Sequence, residues 1–103
     1  MNFLKSADFS AAKAWDAETI AQIEGASVRL HWTDQPCIWH VNDGAEVFAV
    51  MDGAVDMHYR ENGVEKVRRL GAGDICHAAA GDEHVAHPLG EARILVIEKQ
   101  GSV

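Results

Sequence analysis

The sequence has few basic residues and no long apolar run. Nine Lys and Arg stand against sixteen Asp and Glu, which gives a net charge of -7. Such a surface would repel a phosphate backbone, and the one basic cluster, formed by Lys66, Arg68 and Arg69, is typical of the solvated face of a strand. No stretch approaches the roughly 18 apolar residues that span a bilayer. These absences predict that neither nucleic acid nor membrane is a partner.

The opening residues and the two cysteines bear on the compartment. The opening residues, MNFLKSADFS, hold no apolar run of signal-peptide length, so we expect a cytoplasmic protein. The two cysteines, Cys37 and Cys76, form no Cys-x-x-Cys pair. In a reducing compartment we expect both to be small buried hydrophobic residues; a disulfide is left open, although nothing in the sequence requires one.

No internal repeat, low-complexity segment or linker divides the chain. Its 103 residues and 11.2 kDa are enough for one hydrophobic core but not for two. Hydrophobic residues make up 48% and charged residues 24%, which is ordinary globular composition. The sequence therefore predicts a single domain over residues 1–103.

Apolar residues beyond about position 25 recur with a period of two, as expected for strands. In AVDMHYR, for example, Val55, Met57 and Tyr59 alternate with polar residues. Asp-Gly at 52–53 and Asn-Gly at 62–63 separate such runs, and these pairs are the strongest short hairpin signals. Many short strands with Gly-rich turns predict an all-β sandwich or barrel.

The N-terminal third is less regular. By composition AETIAQIEG, at 17–25, suits a helix as well as a strand. We favour a strand, because a barrel needs its edges closed. A short helix or turn is expected before it, around FSAAKAW at 9–15.

Six histidines are present, and their spacing predicts different positions for them in the fold. His31 and His58 alternate with apolar neighbours, so we expect both to be exposed on the surface. His84 and His87 are three residues apart, which puts them on opposite faces of an extended segment. His87 is therefore expected outside any site that contains His84, or behind its ligands.

His40, Asn42 and Glu46 lie just before or at the start of the apolar run EVFAVM. His40 and Asn42 are two residues apart and project to one side of an extended segment. Glu46 shares a face with Phe48 and Val50, where a carboxylate is costly to bury without a partner. Either Glu46 lies at a solvated rim, or a metal or a cationic side chain neutralises it.

These residues form two spaced patterns. The first is His40-x-Asn42-x-x-x-Glu46-x-x-x-x-x-x-Gly53, and the second contains Gly73, Gly81 and His84. Together they resemble the two signature motifs of the cupin superfamily, and in particular the small single-domain cupins often labelled mannose-6-phosphate isomerase-like. The resemblance covers about residues 26–98 and implies a double-stranded β-helix, or jelly-roll barrel.

The resemblance also implies a metal held by His40, Glu46 and His84. Two imidazoles and one carboxylate suit Fe(II), and Zn, Ni or Mn are tolerated. The sequence departs from the family pattern at Asn42, which replaces a histidine, and at Ala79, which replaces a proline. Asn42 could be a weak ligand through its amide oxygen or could orient a metal-bound water. The alternative is a metal-free cupin whose former ligands hydrogen-bond one another.

A barrel would bring these polar groups together at one mouth, in a concave pocket of the kind that binds small molecules. His77 shares a face with Ile75 and Ala79 and could point inward. Trp39 alternates with His40 and is expected outside the cup or at a subunit contact. The residues predicted to line the pocket are Asn42, Phe48, Met57, Tyr59 and His77.

Two functions from different classes fit these expectations. One is a metal-dependent enzyme, an oxygenase or isomerase, acting on a small molecule. The other is a small-molecule binding or sensing module without metal or catalysis. A sugar-epimerase reaction would need an acid in the cup and would depend on Tyr59, the single tyrosine. A homodimer is expected, with the N-terminal strand as its contact, because pairing would cover exposed strand edges.

Overall fold

The computed structural model describes residues 1–102 as β-strands joined by turns. A 3-10 turn at Ser6–Asp8 comes first. Nine strands follow within the described residues: β1 (Ala17–Ile23), β2 (Ala26–Thr33), β3 (His40–Val41), β4 (Glu46–Asp52), β5 (Ala54–Glu61), β6 (Val64–Gly71), β7 (Ile75–Ala78), β8 (Glu83–Pro88) and β9 (Ala92–Lys99). Over the same residues, no helix has the length and apolar character needed to cross a membrane.

The strands form two antiparallel sheets. One has five strands in the order β1-β2-β9-β4-β7, and the other has four in the order β3-β8-β5-β6. From β2 to β9 the chain passes repeatedly from one sheet to the other, so most pairings join strands that are distant in sequence. The predicted all-β jelly-roll architecture is confirmed.

The N-terminal segment forms a strand. Residues 17–23 make up β1, which pairs with β2 from Ala17↔His31 to Ile23↔Ala26. Residues 9–15 contain bends and a turn, and the 3-10 turn lies just before them. The preference for a strand at 17–25 is therefore confirmed.

The two Gly-containing hairpin signals have different outcomes. Asn62 and Gly63 have φ angles of 54° and 77° and join β5 to β6 as a two-residue hairpin, as predicted. The hairpin expected at Asp52-Gly53 is wrong, because β4 and β5 belong to different sheets. Here the turn carries the chain across the sandwich, and the partners of β4 are β9 and β7.

The hydrophobic core lies between the sheets and towards one end of the strands. Val50 and Ile94 are register partners with no exposed surface, and Val55 is equally buried in the facing sheet. The rest of this cluster comprises Phe48, Met57, Leu70, Ala86, Ala92 and Val96. On β4, β9 and β8, the strand faces that carry these core residues end in polar residues. The end of the sandwich away from the core is therefore available for a site.

Gly53 is fixed by both conformation and space. Its φ angle is 80°, and a Cβ atom here would collide with the backbone carbonyl oxygen of Glu91. Gly63 has a similar φ angle of 77°, but nothing lies within 4 Å of the place its Cβ would take. Substituting each glycine therefore distinguishes the cost of a left-handed conformation, which both share, from the cost of a collision, which only Gly53 has.

We predict that Gly53→Ala destabilises the fold far more than Gly63→Ala. Gly63→Ala should cost about 1 kcal/mol, because only the left-handed conformation is penalised. Gly53→Ala should cost about 2 kcal/mol more, since the backbone must shift to make room. Urea unfolding of both variants measures the difference. Equal losses would show that the close approach of Glu91 does not constrain Gly53.

Candidate functional site

Three predicted ligands meet at the polar end of the sandwich. His40 of β3 is the register partner of His84 of β8 in the four-stranded sheet. Glu46, at the start of β4, faces them from the five-stranded sheet. One ligand atom from each of the three residues lies within 4.8 Å of the other two. Side chains separated by up to 44 residues in sequence thus converge on one point.

The geometry within this triad is close and directional. His84 Nε2 lies 3.3 Å from Glu46 Oε1. The rings of His40 and His84 meet edge to face with centroids 4.2 Å apart. His40 Nδ1 lies 3.2 Å from the carbonyl oxygen of Ile38. An Nδ1 proton donated to this carbonyl leaves the Nε2 lone pair free, which is how metal-binding histidines are commonly oriented.

The Glu46 carboxyl is buried but favours its charged form. Burial acts against ionisation, but the hydrogen bonds to His84 and Glu98 and the positive potential of His84 and His40 outweigh it. The pKa of Glu46 is therefore lowered from its ordinary value. A carboxylate at this position is available as a ligand.

Glu98 is a site residue that the sequence reasoning missed. It is the register partner of Glu46 across β9 and β4. Burial, the hydrogen bond to Glu46 and the Glu46 charge raise the pKa of Glu98 to about 8. Glu98 follows Ile94 and Val96 on one face of β9, so a carboxylate on an apolar face, the signal that singled out Glu46, was present here too.

Asn42 and His84 have buried polar atoms without a hydrogen-bond partner in the described residues. Asn42 is 6% exposed, and neither its amide oxygen nor its amide nitrogen has a hydrogen-bond partner in the described residues. The Nδ1 atom of His84 is also buried and unpartnered there. Buried polar atoms without partners are costly, and a bound ion or ligand is one common reason for them. Two imidazoles, a carboxylate and a free amide oxygen fit a divalent metal.

A cavity of ≈ 540 Å³ opens beside the triad. Glu46 and His84 form part of its wall, and Met57 and Tyr59 of β5 line it as predicted. Tyr59 is the register partner of His84, which puts the two side chains on the same face of the sheet. Asn42 and Phe48, also predicted to line the pocket, are not among the lining residues; Phe48 belongs to the core.

His77 is among the residues that line this cavity, as predicted, but it does not share a strand face with Glu46. It is exposed and pairs with Val47, while its neighbours Cys76 and Ala78 pair with Phe48 and Glu46. Because side chains alternate along a strand, His77 belongs to the opposite face from Glu46. The structure therefore does not bring His77 together with the three ligands.

The prediction that His31 is exposed is wrong. His31 is partly buried and is the register partner of Ile94 in the core. Its Nδ1 atom lies 2.9 Å from the carbonyl oxygen of Trp15, and burial lowers its pKa. On the other face of β2, Leu30 and Trp32 are buried too. Since β2 is covered on both sides, alternation could not show which face meets the core.

The remaining histidines lie outside the cup. His58 and His87 are partly buried on the outer face of the four-stranded sheet, with ring centroids 4.2 Å apart. His87 is therefore on the opposite face from His84, as predicted, and His58 is less exposed than expected because His87 covers it. The Arg60 guanidinium lies over the Trp39 ring, with its Cζ atom 3.9 Å from the ring centre.

Both cysteines are free and partly buried. Cys37 and Cys76 pack against the hydrophobic core. Burial raises the pKa of each thiol. This agrees with the expectation of small hydrophobic residues, although each keeps some exposed surface.

Comparisons with known proteins connect this architecture to solved structures. No protein-family model matches the chain, and no curated protein sequence does. A cupin-2 domain protein from Shewanella frigidimarina superposes with a TM-score of 0.78 at 26% identity, covering 87% of this chain and 85% of its own. A cupin superfamily protein from Desulfitobacterium hafniense gives 0.76 at 15% identity, with coverages of 93% and 88%.

A larger enzyme contains a similar unit. Hydroquinone 1,2-dioxygenase PnpCD, solved in complex with Fe3+, superposes with a TM-score of 0.74 at 18% identity. The match covers 87% of this chain but only 29% of the dioxygenase chain, so the likeness concerns the fold. With two antiparallel sheets, a polar cup at one end and these neighbours, the chain is a small cupin-like domain.

Proposed function

We propose that this protein binds one divalent transition metal through His40, Glu46 and His84 and a small molecule in the adjoining cavity. The observation that carries the proposal is the convergence of three ligand atoms within 4.8 Å of one another, with Glu46 and His84 also lining the cavity. Bonds of about 2.0–2.2 Å to one ion require only a small contraction of this triangle. Fe, Zn, Ni and Mn all suit this set of donors.

The residues around the triad support metal binding. The Ile38 carbonyl lies 3.2 Å from His40 Nδ1, and Glu98 is the register partner of Glu46. Such partners behind the ligands hold them in place and adjust their basicity. When bound, the metal would supply Lewis acidity or redox chemistry, which suits the isomerase or oxygenase reaction inferred from the resemblance. A structural neighbour with Fe3+ adds support at the level of the fold.

A metal-free binding or sensing module is the second candidate. It is favoured by the 3.3 Å contact of His84 with Glu46 and by the register pairing of Glu46 with Glu98, because these groups can compensate one another without a metal. Asn42 also removes one histidine from the family pattern. The two candidates differ in one respect: the module would bind its ligand equally well after exhaustive chelation.

Metal content tests the first candidate. Untagged protein incubated with Fe(II), Mn(II), Ni(II) or Zn(II) should retain about one ion per chain of at least one metal, measured by mass spectrometry after gel filtration. Because His84→Ala removes a ligand, its affinity should fall by about 100-fold or more, beyond what loss of an outer partner costs. His87→Ala, three residues away on the other face, is the matched control and should retain wild-type affinity.

Equal, negligible metal in the wild type and in His84→Ala would instead support the metal-free module. Loss of metal in His87→Ala as well would indicate general destabilisation. Circular dichroism of each variant separates this from loss of a ligand.

Asn42→His should convert the site to four protein ligands. Asn42 holds the place of the second histidine in the resemblance, and its side chain is buried and unpartnered. An added imidazole should raise the Zn(II) affinity by about 10-fold or more, measured by competition with a chelating dye. An unchanged affinity would mean that position 42 does not reach the metal.

We also propose that the protein is a cytoplasmic homodimer that pairs through β1. This strand is an edge of the five-stranded sheet, and its Ile20 and Ile23 are 40% and 58% exposed. Apolar side chains beside unpaired backbone groups favour pairing with a second copy.

Ile23→Lys should shift the protein from dimer to monomer, because a charge would be buried at the contact. Multi-angle light scattering at several concentrations measures the mass. Ile38→Lys is the matched control, since Ile38 is 80% exposed but lies outside β1. A wild-type monomer, or a dimer that survives Ile23→Lys, contradicts pairing through β1.

A further inference from the structure

We infer that the cavity takes a small organic acid whose carboxylate is held by Arg68 at the cavity mouth. The inference deepens the proposed function, because it names the class of small molecule and depends on the cavity being a binding site. Three features support it: the direction of Arg68, the partners of the other charges near the cavity, and the position of His84 and Tyr59 on its wall.

Strand register directs Arg68 towards the cavity. It pairs with Met57, which is 4% exposed and faces the core. Leu70, two residues further along β6, is on the same face and is 5% exposed. Arg68 therefore extends from the inward face of β6, which is an edge strand of its sheet. Arg68 itself is exposed and lines the cavity.

The neighbouring cations already have partners. Arg60 donates to Glu83 and Lys66 donates to Glu61. Arg69 donates to both carboxylate oxygens of Asp56 on the outer face of the sheet. Among the described residues, Arg68 makes neither an ion pair nor a side-chain hydrogen bond. Its guanidinium is therefore the cation at the cavity whose donors are left for a ligand.

The acidic residues near the mouth are also engaged. The carboxylate of Asp74 accepts the backbone N–H of Gly71, and that of Asp82 accepts the N–H of Ala79, both at 2.8 Å. These bonds close turns and occupy one oxygen of each carboxylate. Among the described residues neither carboxylate pairs with Arg68, so its donors are free for a ligand.

The other lining residues set the orientation of the ligand. Glu46, Tyr59 and His84 line the cavity together with Arg68. A ligand acid with its carboxylate on Arg68 therefore extends its remaining atoms towards His84 and Tyr59. A single guanidinium matches one carboxylate through two parallel N–H···O bonds. The arrangement favours a monocarboxylate over a more highly charged phosphate.

Acid and amide pairs of the same shape test this inference. Benzoate with benzamide, and lactate with lactamide, are titrated into the isotope-labelled protein while backbone amide shifts of β5 to β7 are followed. At least one acid should bind about tenfold more tightly than its amide, as a charge-assisted contact predicts. Arg68→Met should remove this preference.

Arg69→Met is the matched control, since it removes the same charge from the adjacent position on the other face. It should keep the acid affinity within about twofold, because the guanidinium of Arg69 is held by Asp56. The inference is overturned if no acid binds, if acid and amide bind equally, or if Arg68→Met retains the preference.

Running each titration on chelated and on Zn-loaded protein separates this inference from the proposed metal site. A preference for acid that depends on Arg68 in both forms supports Arg68 as the anion site, whether or not the metal proposal survives. A preference seen only with zinc and unchanged in Arg68→Met would assign recognition to the metal and would overturn the role of Arg68.

Discussion

The Glu46 carboxylate is only 8% exposed and begins a strand face that is otherwise apolar. A charge in such surroundings must be compensated, because its hydration is lost. The fold supplies three partners: the imidazoles of His84 and His40 and the carboxyl of Glu98. Each comes from a different strand, so the antiparallel register that aligns them is a condition for the site.

The hydrophobic core and the candidate site lie at opposite ends of the strands. One end contains Val50, Val55 and Ile94, which have no exposed surface. At the other end the same strand faces present Glu46, Glu98 and the paired histidines. Packing at the apolar end fixes the position of one sheet relative to the other, and this keeps the polar end open. A cavity can persist there because packing elsewhere prevents collapse.

Sequence spacing could predict whatever depends on neighbours along the chain. The two-residue period of a strand predicts which side chains share a face, as His40 and Asn42 do and as Glu46 and Phe48 do. It also predicts that His84 and His87 point in opposite directions. What depends on non-local pairing was out of reach. The hairpin expected at Asp52-Gly53 was wrong because the partners of β4 lie far away in sequence.

Two further differences have the same origin. Alternation marks two faces of β2 but cannot say that both are covered, so His31 was assigned to the surface. The sequence places Glu98 on an apolar strand face, but only the pairing of β9 with β4 shows that this carboxyl lies opposite that of Glu46. Period and spacing indicate which side chains share a face; only the pairing of strands shows what that face meets.

The central claim is that side chains at 40, 46 and 84 form one metal centre. X-ray absorption spectroscopy of the Zn-loaded protein tests it most directly. The account predicts two imidazole nitrogens at about 2.0–2.1 Å and a carboxylate oxygen at about 2.0–2.2 Å, with the multiple scattering that imidazole rings produce. A zinc shell without imidazole scattering would contradict it.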